Sequence, residues 1–338
     1  MDECEPNQDS LVWKQCLIAM FISCTILLTV ATNILNMAII KNNTHISSVT
    51  RIFLNSLTVA DLCVGIVCEP FGLASVIANQ WPLGQPICTV VGCTVNVFCA
   101  VSISSLFLIS MDRYIAITRP LRYHSILTSE RAKKMAAISW VFCLVYMLGC
   151  SYVWGPFVEY HDFVYGCTIS WNNYNEKVPI LTSSLIFVVI PSLTIFFIYS
   201  RLFWISFCHS KNIARSDHQA VPTDCPDQIF RRNLISLKDS KALRTFFYVW
   251  MAFNFAWGPF VGCNIYTIIE EQDLGPSIEF IITWLALSNS WWNVIIYSTN
   301  ASFRQTAADM LRRYRYYRTN RRSISRVHCI SRQPSSNV

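Results

Sequence analysis

Charged side chains are scarce in this sequence. They make up 14% of its 338 residues, whereas hydrophobic residues make up 53%. Soluble domains carry charge on about 25% of their residues, so the composition disfavours an ordinary water-soluble fold. It fits a chain whose apolar surface is solvated by lipid.

Charge is absent or nearly absent from seven separate runs of the sequence. Each run is long enough to cross a hydrocarbon core of about 30 Å as a helix, and the segments between them leave no room for a second globular domain. The sequence therefore predicts an all-α membrane protein: a seven-transmembrane helix bundle over residues 13–300, with an N-terminal segment at 1–12 and a tail at 301–338. The runs lie at about 13–40, 52–77, 86–111, 135–157, 178–203, 243–268 and 275–299.

Basic residues lie almost entirely on one side of the predicted spans. Lys14 and Lys177 are the exceptions, and acidic residues gather on the other side. Because Lys and Arg are enriched on the cytoplasmic side of membranes, we expect a multi-pass plasma-membrane protein with an extracellular N-terminus and a cytoplasmic C-terminus. The net charge of +7 then reflects topology, and no nucleic-acid partner is expected.

Most of the fifteen cysteines lie within the apolar spans, but two others are placed to pair. Cys88 begins the third span, and Cys167 lies in the long segment before the fifth, both on the side predicted to be extracellular. Disulfides persist in that oxidising environment. We therefore predict a Cys88–Cys167 bridge that ties the second extracellular loop to the third helix.

Asp61 lies well inside the second span, where an ionisable side chain is costly and needs partners. Carboxylate, hydroxyl and amide oxygens suit a hard cation such as Na⁺. A hydrogen-bonded network that only fixes helix packing explains the same residues equally well. A second acid, Glu69, near the outer end of this span, is expected to face an aqueous cavity. The candidate partners of Asp61 are Asn33, Ser102, Asn289, Ser290 and Asn293.

The stretch "SISSLFLISMDRYIAI" is an apolar run that ends in Asp112 and Arg113, followed by Tyr114. Arginine keeps its proton in proteins, so at the mouth of the bundle it needs a partner or water. Asp112 is adjacent, and Asp239, just before the sixth span, is placed to pair from another helix. Such a cross-helix pair would form a two-state element. An arginine that snorkels to lipid headgroups is the alternative.

The order and spacing of these motifs resemble the rhodopsin-like (class A) G-protein-coupled receptor family over essentially the whole chain. The triplet Asp112-Arg113-Tyr114 matches the family's third-helix motif, and "FNFAWGPF" resembles its sixth-helix motif. Each motif alone is weak, but their combination across seven spans is specific. The other matching positions are Asn33, Leu57, Asp61, Trp81, Cys88, Trp140, Cys167, Pro191, Tyr199, Phe253, Trp257 and Pro259.

The resemblance implies transmission of an extracellular signal to a heterotrimeric G protein. Arrestin and receptor kinases are implied as further partners, and Na⁺ as an allosteric ion with no other cofactor. The implied switch for G-protein coupling consists of Asp112, Arg113, Tyr114, Pro120, Leu121, Tyr199, Asp239, Asn293 and Tyr297. The implied toggle and packing connector are Trp257, Phe253, Ile103 and Pro191, and the implied sodium site is Asp61, Ser102, Asn289 and Asn293.

Two features follow the seventh-helix motif. In "NSWWNVIIY", Val294 stands where the family usually has proline. Because proline kinks a helix, we expect the lower seventh helix to be straighter here. Beyond it, apolar and basic residues alternate with helical spacing over residues 303–315, which predicts a short amphipathic eighth helix lying on the membrane.

Two absences from the sequence restrict the class of ligand. No lysine lies in the seventh span, which excludes a retinal Schiff base. Amine receptors of the family carry a carboxylate where this chain has Val95, and a buried cation without a partner costs roughly several kcal/mol. An apolar pocket for a neutral or lipid-like ligand, or for none, is predicted. Its residues are Val95, Asn96, Cys99, Trp171, Phe260, Asn264 and Thr283.

Three segments, "GCTISWNNYNEK", "TWLALSNS" and "CPDQIFRRN", resemble a small orphan branch of the family. Its members signal without added agonist because their second extracellular loop fills the pocket, and they raise cyclic AMP through the stimulatory G protein. The resemblance implies the same for this chain, with Tyr165, Thr168 and Trp171 entering the bundle. A lid or β-hairpin that only shapes the entrance is the alternative.

A seven-span enzyme and a transporter are the competing classes. A membrane hydrolase needs a metal or a nucleophile with its base inside the bundle, and no histidine falls within the spans. A transporter is expected to show internal repeats or interrupted helices, and the sequence shows neither. A receptor without enzymatic activity is favoured. The histidines are His45, His124, His161, His209, His218 and His328.

Overall fold

The computed structural model describes residues 8–154, 158–169, 174–217, 226–270 and 274–330, with side chains over most of these ranges. The described residues form eight long helices and one β-hairpin. The helices are α1 (Gln8–Asn42), α2 (Ser48–Ala78), α3 (Gly84–Thr118), α4 (Ser129–Trp154), α5 (Tyr174–Ser184, Leu185–Val189 and Ile190–Asp217 in succession), α6 (Pro226–Glu270), α7 (Pro276–Tyr297) and α8 (Ala301–Ile330).

Apolar side chains cover the outside of the bundle as well as its core. Leu27, Ile138 and Leu193, on three different helices, are each more than 60% exposed. Five described stretches, on α1 to α5, are long and apolar enough to cross a membrane. Helices satisfy their backbone groups internally, so this apolar exterior is suited to lipid.

The described parts of α6 and α7 fall short of that apolar criterion, although the sequence predicts both as spans. The reason lies in their inward faces, because Asn264 of α6 and Asn289 and Asn293 of α7 are polar and buried. The two helices pack against each other, and α6 also packs against α5. Polar side chains that lower the mean hydropathy of a helix thus line the interior of the bundle.

Two helices contain a π-helical turn, each followed by a proline. In α2 the turn is Val64–Cys68 and precedes Pro70; in α5 it is Leu185–Val189 and precedes Pro191. A proline cannot donate to the carbonyl four residues earlier, and a π-helical turn shifts the hydrogen bonds by one residue. Accordingly, the Glu69 amide donates to the Val64 carbonyl.

A β-hairpin lies between α4 and α5 in an otherwise helical fold. Strand β1 (Val158–His161) pairs antiparallel with β2 (Gly166–Ile169). A disulfide joins Cys167 to Cys88 of α3, so the predicted bridge is confirmed. At Gly92 of α3, a Cβ atom would lie 2.9 Å from the Cys167 carbonyl oxygen, so only glycine allows the hairpin to lie this close.

Two ends of the bundle are named from these features. The disulfide end carries the hairpin, and the arginine end carries Arg113, near the last turn of α3. At the arginine end, α5 and α6 extend beyond the predicted spans 178–203 and 243–268, and α8 is 30 residues long where a short helix was predicted. Charged residues such as Lys, Arg and Glu are good helix formers, so these helices need not end where the apolar run ends.

Helix α7 runs without interruption through Val294, and α8 then folds back against the bundle. Phe303 of α8 is buried against the core, with its ring centroid 5.9 Å from that of Tyr297. Asn43, at the end of α1, donates a hydrogen bond to Ser302. Arg304 and Arg312 are exposed on α8, which gives the amphipathic character that the sequence predicts.

Candidate functional site

A polar cluster lies in the middle of the bundle around Asp61. Ser102 of α3 donates to one carboxylate oxygen at 3.0 Å, and Asn293 of α7 donates to the other at 2.7 Å. Asn289 is buried nearby in α7, but among the described residues it makes no hydrogen bond to Asp61. The cluster therefore links α2, α3 and α7 through a single carboxylate.

The donor chemistry of this cluster fits a hard monovalent cation. One carboxylate, a hydroxyl and amide oxygens are available, and the buried Oδ1 of Asn33 has no hydrogen-bond partner among the described residues. The Asn33 amide group donates instead to the Ser290 carbonyl at 2.8 Å, which ties α1 to α7. No group of three or more His, Cys, Asp or Glu residues suited to a metal ion occurs in the described part of the chain.

At the arginine end, Arg113 is held against its own helix. Its Nη2 lies 2.7 Å from Asp112 Oδ2 and donates to Thr50 of α2 at 2.6 Å. Thr50 in turn donates to the same Asp112 oxygen at 2.7 Å. Asp112 is completely buried, whereas 20% of the Arg113 side chain is exposed, so the arginine remains close to water.

Tyr123 completes this arrangement from the segment between α3 and α4. A short helical turn, Pro120–Arg122 and Tyr123–Ile126, directs its hydroxyl to Asp112 Oδ1 at 2.6 Å. Tyr123 and Thr50 could not be singled out from the sequence, because Thr50 is distant from Asp112 along the chain and Tyr123 is separated from it by a turn. A local sequence motif does not show that side chains from three separate segments meet at Asp112.

The remaining predicted switch residues lie at the same end. Tyr199 of α5 is buried and accepts a hydrogen bond from Ser110 at 3.3 Å, and Tyr297 of α7 is buried as well. Leu121 is fully exposed. Tyr114, which follows Arg113, is half-buried. Pro120, which precedes Leu121, is exposed. The Asp239 side chain lies outside those described, so its pairing with Arg113 stays a prediction.

The predicted toggle and connector residues form a continuous apolar column above this switch. Trp257 stacks on Phe253 with ring centroids 6.1 Å apart, and Phe260 lies edge-on to Trp257 at 5.7 Å. Phe253 and Ile103 are both buried in the same core cluster. Pro191, two residues beyond the π-helical turn of α5, is half-buried. The column gives α3 and α6 a shared packing contact in mid-bundle.

Two small cavities border Trp257, and the second of them extends toward the disulfide end. The connector cavity, of about 60 Å³, is lined by Cys99, Ile103, Phe253 and Asn264 among others, and the hairpin cavity, of about 80 Å³, by Val95, Thr283 and the hairpin. Asn96, Trp257 and Phe260 line both. The structure thus brings the predicted pocket residues together, except Trp171, which lies outside the described residues.

The hairpin turn projects into the bundle and is anchored there by its backbone. Trp284 of α7 donates from Nε1 to the Val164 carbonyl at 3.0 Å, and Ser75 of α2 donates to the Tyr165 carbonyl at 2.8 Å. Tyr165 has φ of 55°, an uncommon conformation for a non-glycine residue. Tyr165 and Thr168 line the hairpin cavity. Every residue has a backbone carbonyl, so the sequence does not indicate which carbonyls accept these hydrogen bonds.

Comparison with known proteins agrees with this architecture. The family described as "7 transmembrane receptor (rhodopsin family)" matches residues 32–297. The histamine H2 receptor of the dog, Canis lupus familiaris, is 27% identical over 313 residues, which cover 87% of this chain and 79% of that protein. A probable G-protein coupled receptor 21 from Mus musculus is 30% identical over 264 residues, covering 75% of this chain and 70% of that protein.

The match to the family spans the seven helices, from the middle of α1 to the end of α7. Members of this family signal through heterotrimeric G proteins and are receptors of the plasma membrane. The alternatives of a seven-span enzyme or transporter are thereby set aside. With its seven-helix bundle, its Cys88–Cys167 bridge and its Asp112–Arg113 pair, the chain belongs to the rhodopsin family of G-protein-coupled receptors.

Proposed function

We propose that this receptor activates the stimulatory G protein and raises cyclic AMP without an added agonist, because its own hairpin occupies the ligand position. The observation that carries the proposal is the anchoring of the Val164 and Tyr165 carbonyls by Trp284 and Ser75. The hairpin cavity that remains is about 80 Å³, whereas pockets for drug-sized ligands measure about 300–1,000 Å³. The resemblance to the self-activating orphan branch supports the same function.

The proposal places the disulfide end outside the cell and the arginine end in the cytoplasm. Arg119, Arg122, Lys133 and Lys134 lie at or near the arginine end, and basic residues favour the cytoplasmic side. The N-terminus is then extracellular and the C-terminus cytoplasmic. Leu121 and the exposed segment around it meet the G protein, and arrestin and receptor kinases act at the same face.

The route from hairpin to switch runs through the aromatic column. The hairpin and Trp257 line one cavity, and Trp257 stacks on Phe253. Both aromatic residues belong to α6, so a movement of the hairpin against Trp257 would displace α6. An outward movement of α6 would open the arginine end and free Arg113 from Asp112. The hairpin biases this two-state equilibrium only to the extent that it binds the open state more tightly.

Na⁺ at the Asp61 cluster is a further part of the proposal. Asp61, Ser102 and Asn293 would supply carboxylate, hydroxyl and amide oxygens from three helices, with Asn289 as the fourth predicted member of the site. An ion held there would stabilise the arrangement of α2, α3 and α7 in which those oxygens converge.

Histamine, which the name of the dog relative mentions, is not transferred to this chain by similarity alone. The position of the amine counter-ion in family members is occupied here by Val95, and the one acid of α3, Asp112, lies at the arginine end. An amine would need a different carboxylate.

The hairpin anchor is tested by Ser75→Ala, with Ser139→Ala as the matched control. Both serines donate to the carbonyl three residues earlier in their own helix, at 2.9 and 2.8 Å, but only Ser75 also holds the hairpin. At equal surface expression, Ser75→Ala should lower agonist-free cyclic AMP severalfold, whereas Ser139→Ala should not. Equal cyclic AMP in both variants would contradict the tethered role of the hairpin.

A further inference from the structure

Aromatic side chains of α5 and α6 pack together between the aromatic column and the arginine end. The ring of Trp250 on α6 lies 5.5 Å, centroid to centroid, from Phe196 of α5 and from Phe247 of α6. Phe247 in turn lies 5.3 Å from Phe203 and 6.0 Å from Tyr199, both on α5. We call these five residues the α5–α6 seam. Aromatic rings at such distances attract each other, so the seam holds α6 against α5.

Trp250 adds a directed bond to this packing. Its indole Nε1 donates to the backbone carbonyl of Ser192 on α5 at 3.1 Å. Trp250 and Ser192 are only 9% and 6% exposed, so water has little access to the bond. A carbonyl oxygen has two lone pairs and can accept from a second donor besides its own helix. The indole thus extends along one turn of α5, from the Ser192 carbonyl to the ring of Phe196.

The position of Trp250 along α6 makes this bond sensitive to movement of the helix. Pro259 lies inside α6, where it removes a backbone hydrogen bond and favours a bend. Trp250 lies about 14 Å from Pro259 along the helix axis, on the side of the arginine end, at 1.5 Å per residue. A change in tilt of about 10° at Pro259 would therefore move Trp250 by about 2 Å relative to α5.

A displacement of this size affects the hydrogen bond more than the ring contacts. An N–H···O bond requires a donor–acceptor distance of about 2.7–3.2 Å, whereas aromatic pairs interact at centroid distances of up to about 7 Å. The bond from Trp250 to the Ser192 carbonyl is therefore lost early in an outward movement of α6, while the rings of the seam are still in contact.

We propose that Trp250 is a positioning residue that holds α6 in the closed form, in which Arg113 is paired with Asp112, through its bond to the Ser192 carbonyl. The inference rests on the outward movement of α6 in the proposed function. It does not depend on the hairpin or on the type of G protein. Loss of the bond should therefore raise the fraction of receptors in which the arginine end is open.

The test measures nucleotide exchange on an added G protein by the purified full-length receptor with no ligand. Trp250→Phe keeps an aromatic ring in the seam but removes the indole N–H. For an average interhelical hydrogen bond in a membrane protein, its removal should raise the exchange rate per receptor roughly threefold. A residue that only maintains the fold would instead lower the exchange rate when it is changed.

Two matched variants separate the bond from its surroundings. Ser192→Ala removes a buried hydroxyl that has no hydrogen-bond partner among the described residues, but it keeps the carbonyl that accepts from Trp250. Phe196→Leu removes one ring of the seam but keeps both the donor and the acceptor. Both variants should show the exchange rate of the unmodified receptor. A rise in either of them equal to that in Trp250→Phe would assign the effect to the hydroxyl or to packing and would overturn the proposal.

Trp250→Leu covers the case that the phenylalanine variant is not recovered. Leucine suits a membrane span and lacks the donor, so the exchange rate should again rise above that of Phe196→Leu. An exchange rate in the recovered Trp250 variant no higher than that of the unmodified receptor would overturn the proposal, whether the unmodified rate is high or zero. A rise at Trp250 together with an unchanged rate in Ser75→Ala would support this inference and count against the hairpin in the proposed function.

Discussion

The guanidinium of Arg113 lies 2.7 Å from the carboxylate of its neighbour Asp112. Adjacent residues on a helix do not normally face each other, and this pair is held by two outside donors. Thr50 bonds the oxygen that faces the arginine, and Tyr123 bonds the other at 2.6 Å. In the proposed mechanism this arrangement is the closed form of the switch, and agonist-free signalling would reflect the fraction of molecules in which it is open.

Replacement of Tyr123 by phenylalanine should raise agonist-free G-protein activation. Burial, with a further contribution from the hydrogen bond to Asp112, raises the pKa of the Tyr123 phenol above its ordinary value of 10, so the hydroxyl is protonated and donates at physiological pH. A hydrogen bond to a charged group is worth about 1.5–3 kcal/mol. Its loss from the closed form should increase nucleotide exchange on added G protein by about tenfold or more.

The control for this variant is Tyr152→Phe, since Tyr152 is 91% exposed on α4 and removal of its hydroxyl disturbs no buried bond. Nucleotide exchange should be unchanged in that variant. A Tyr123→Phe receptor with the activity of the unmodified protein would mean that the bond to Asp112 does not hold the closed form.

Sodium should stabilise the purified receptor through Asp61. When NaCl replaces choline chloride at constant ionic strength, the midpoint of thermal unfolding should rise, because an ion that binds only the folded protein at ten times its Kd contributes about 1.4 kcal/mol. Asp61→Asn should remove this dependence. Asp162→Asn, an exposed acid on the hairpin, should preserve it. A sodium effect of equal size in Asp61→Asn would place the ion elsewhere.

Introduction of proline at Val294 should be tolerated better than proline in the helix interior usually is. Proline there removes the amide that donates to the Ser290 carbonyl, but Asn33 already donates to that carbonyl at 2.8 Å. The loss of stability should therefore be smaller than the roughly 3 kcal/mol typical of interior proline. The loss of stability is measured as the decrease in the midpoint of thermal unfolding of the surface-expressed receptor.

Ile295→Pro is the matched control for this variant. Its side chain is exposed on the lipid side of α7, and within the described residues no side chain donates to the Trp291 carbonyl that the change would free. It should destabilise α7 more than Val294→Pro does. Equal losses, or a larger loss at Val294, would show that Asn33 does not compensate.

Several features could be predicted from sequence because a physical constraint marks them locally. A span must be apolar along about twenty residues, which located the helices, and a lone acid such as Asp61 in an apolar run requires partners, two of which, Ser102 and Asn293, are in contact with it. Cys88 and Cys167 were predicted to pair because both lie on the side of the membrane predicted to be extracellular. These inferences depend on residue type and depth alone.

The features that sequence did not reveal depend on convergence between distant segments or on the backbone. The hairpin is held by the carbonyls of Val164 and Tyr165, which every residue type possesses. Tyr123 and Thr50 reach Asp112 only after three segments have packed. The size of the hairpin cavity likewise follows from packing and not from any motif.

The central claim is that the receptor signals without added agonist through Arg113. The most direct measurement is cyclic AMP in cells that express graded amounts of the chain, with no ligand added and with Arg113→Ala expressed at matched surface levels. We predict that cyclic AMP rises in proportion to surface receptor and that the rise disappears in Arg113→Ala. A flat response from surface-expressed receptor, or an equal rise in Arg113→Ala, would contradict the account.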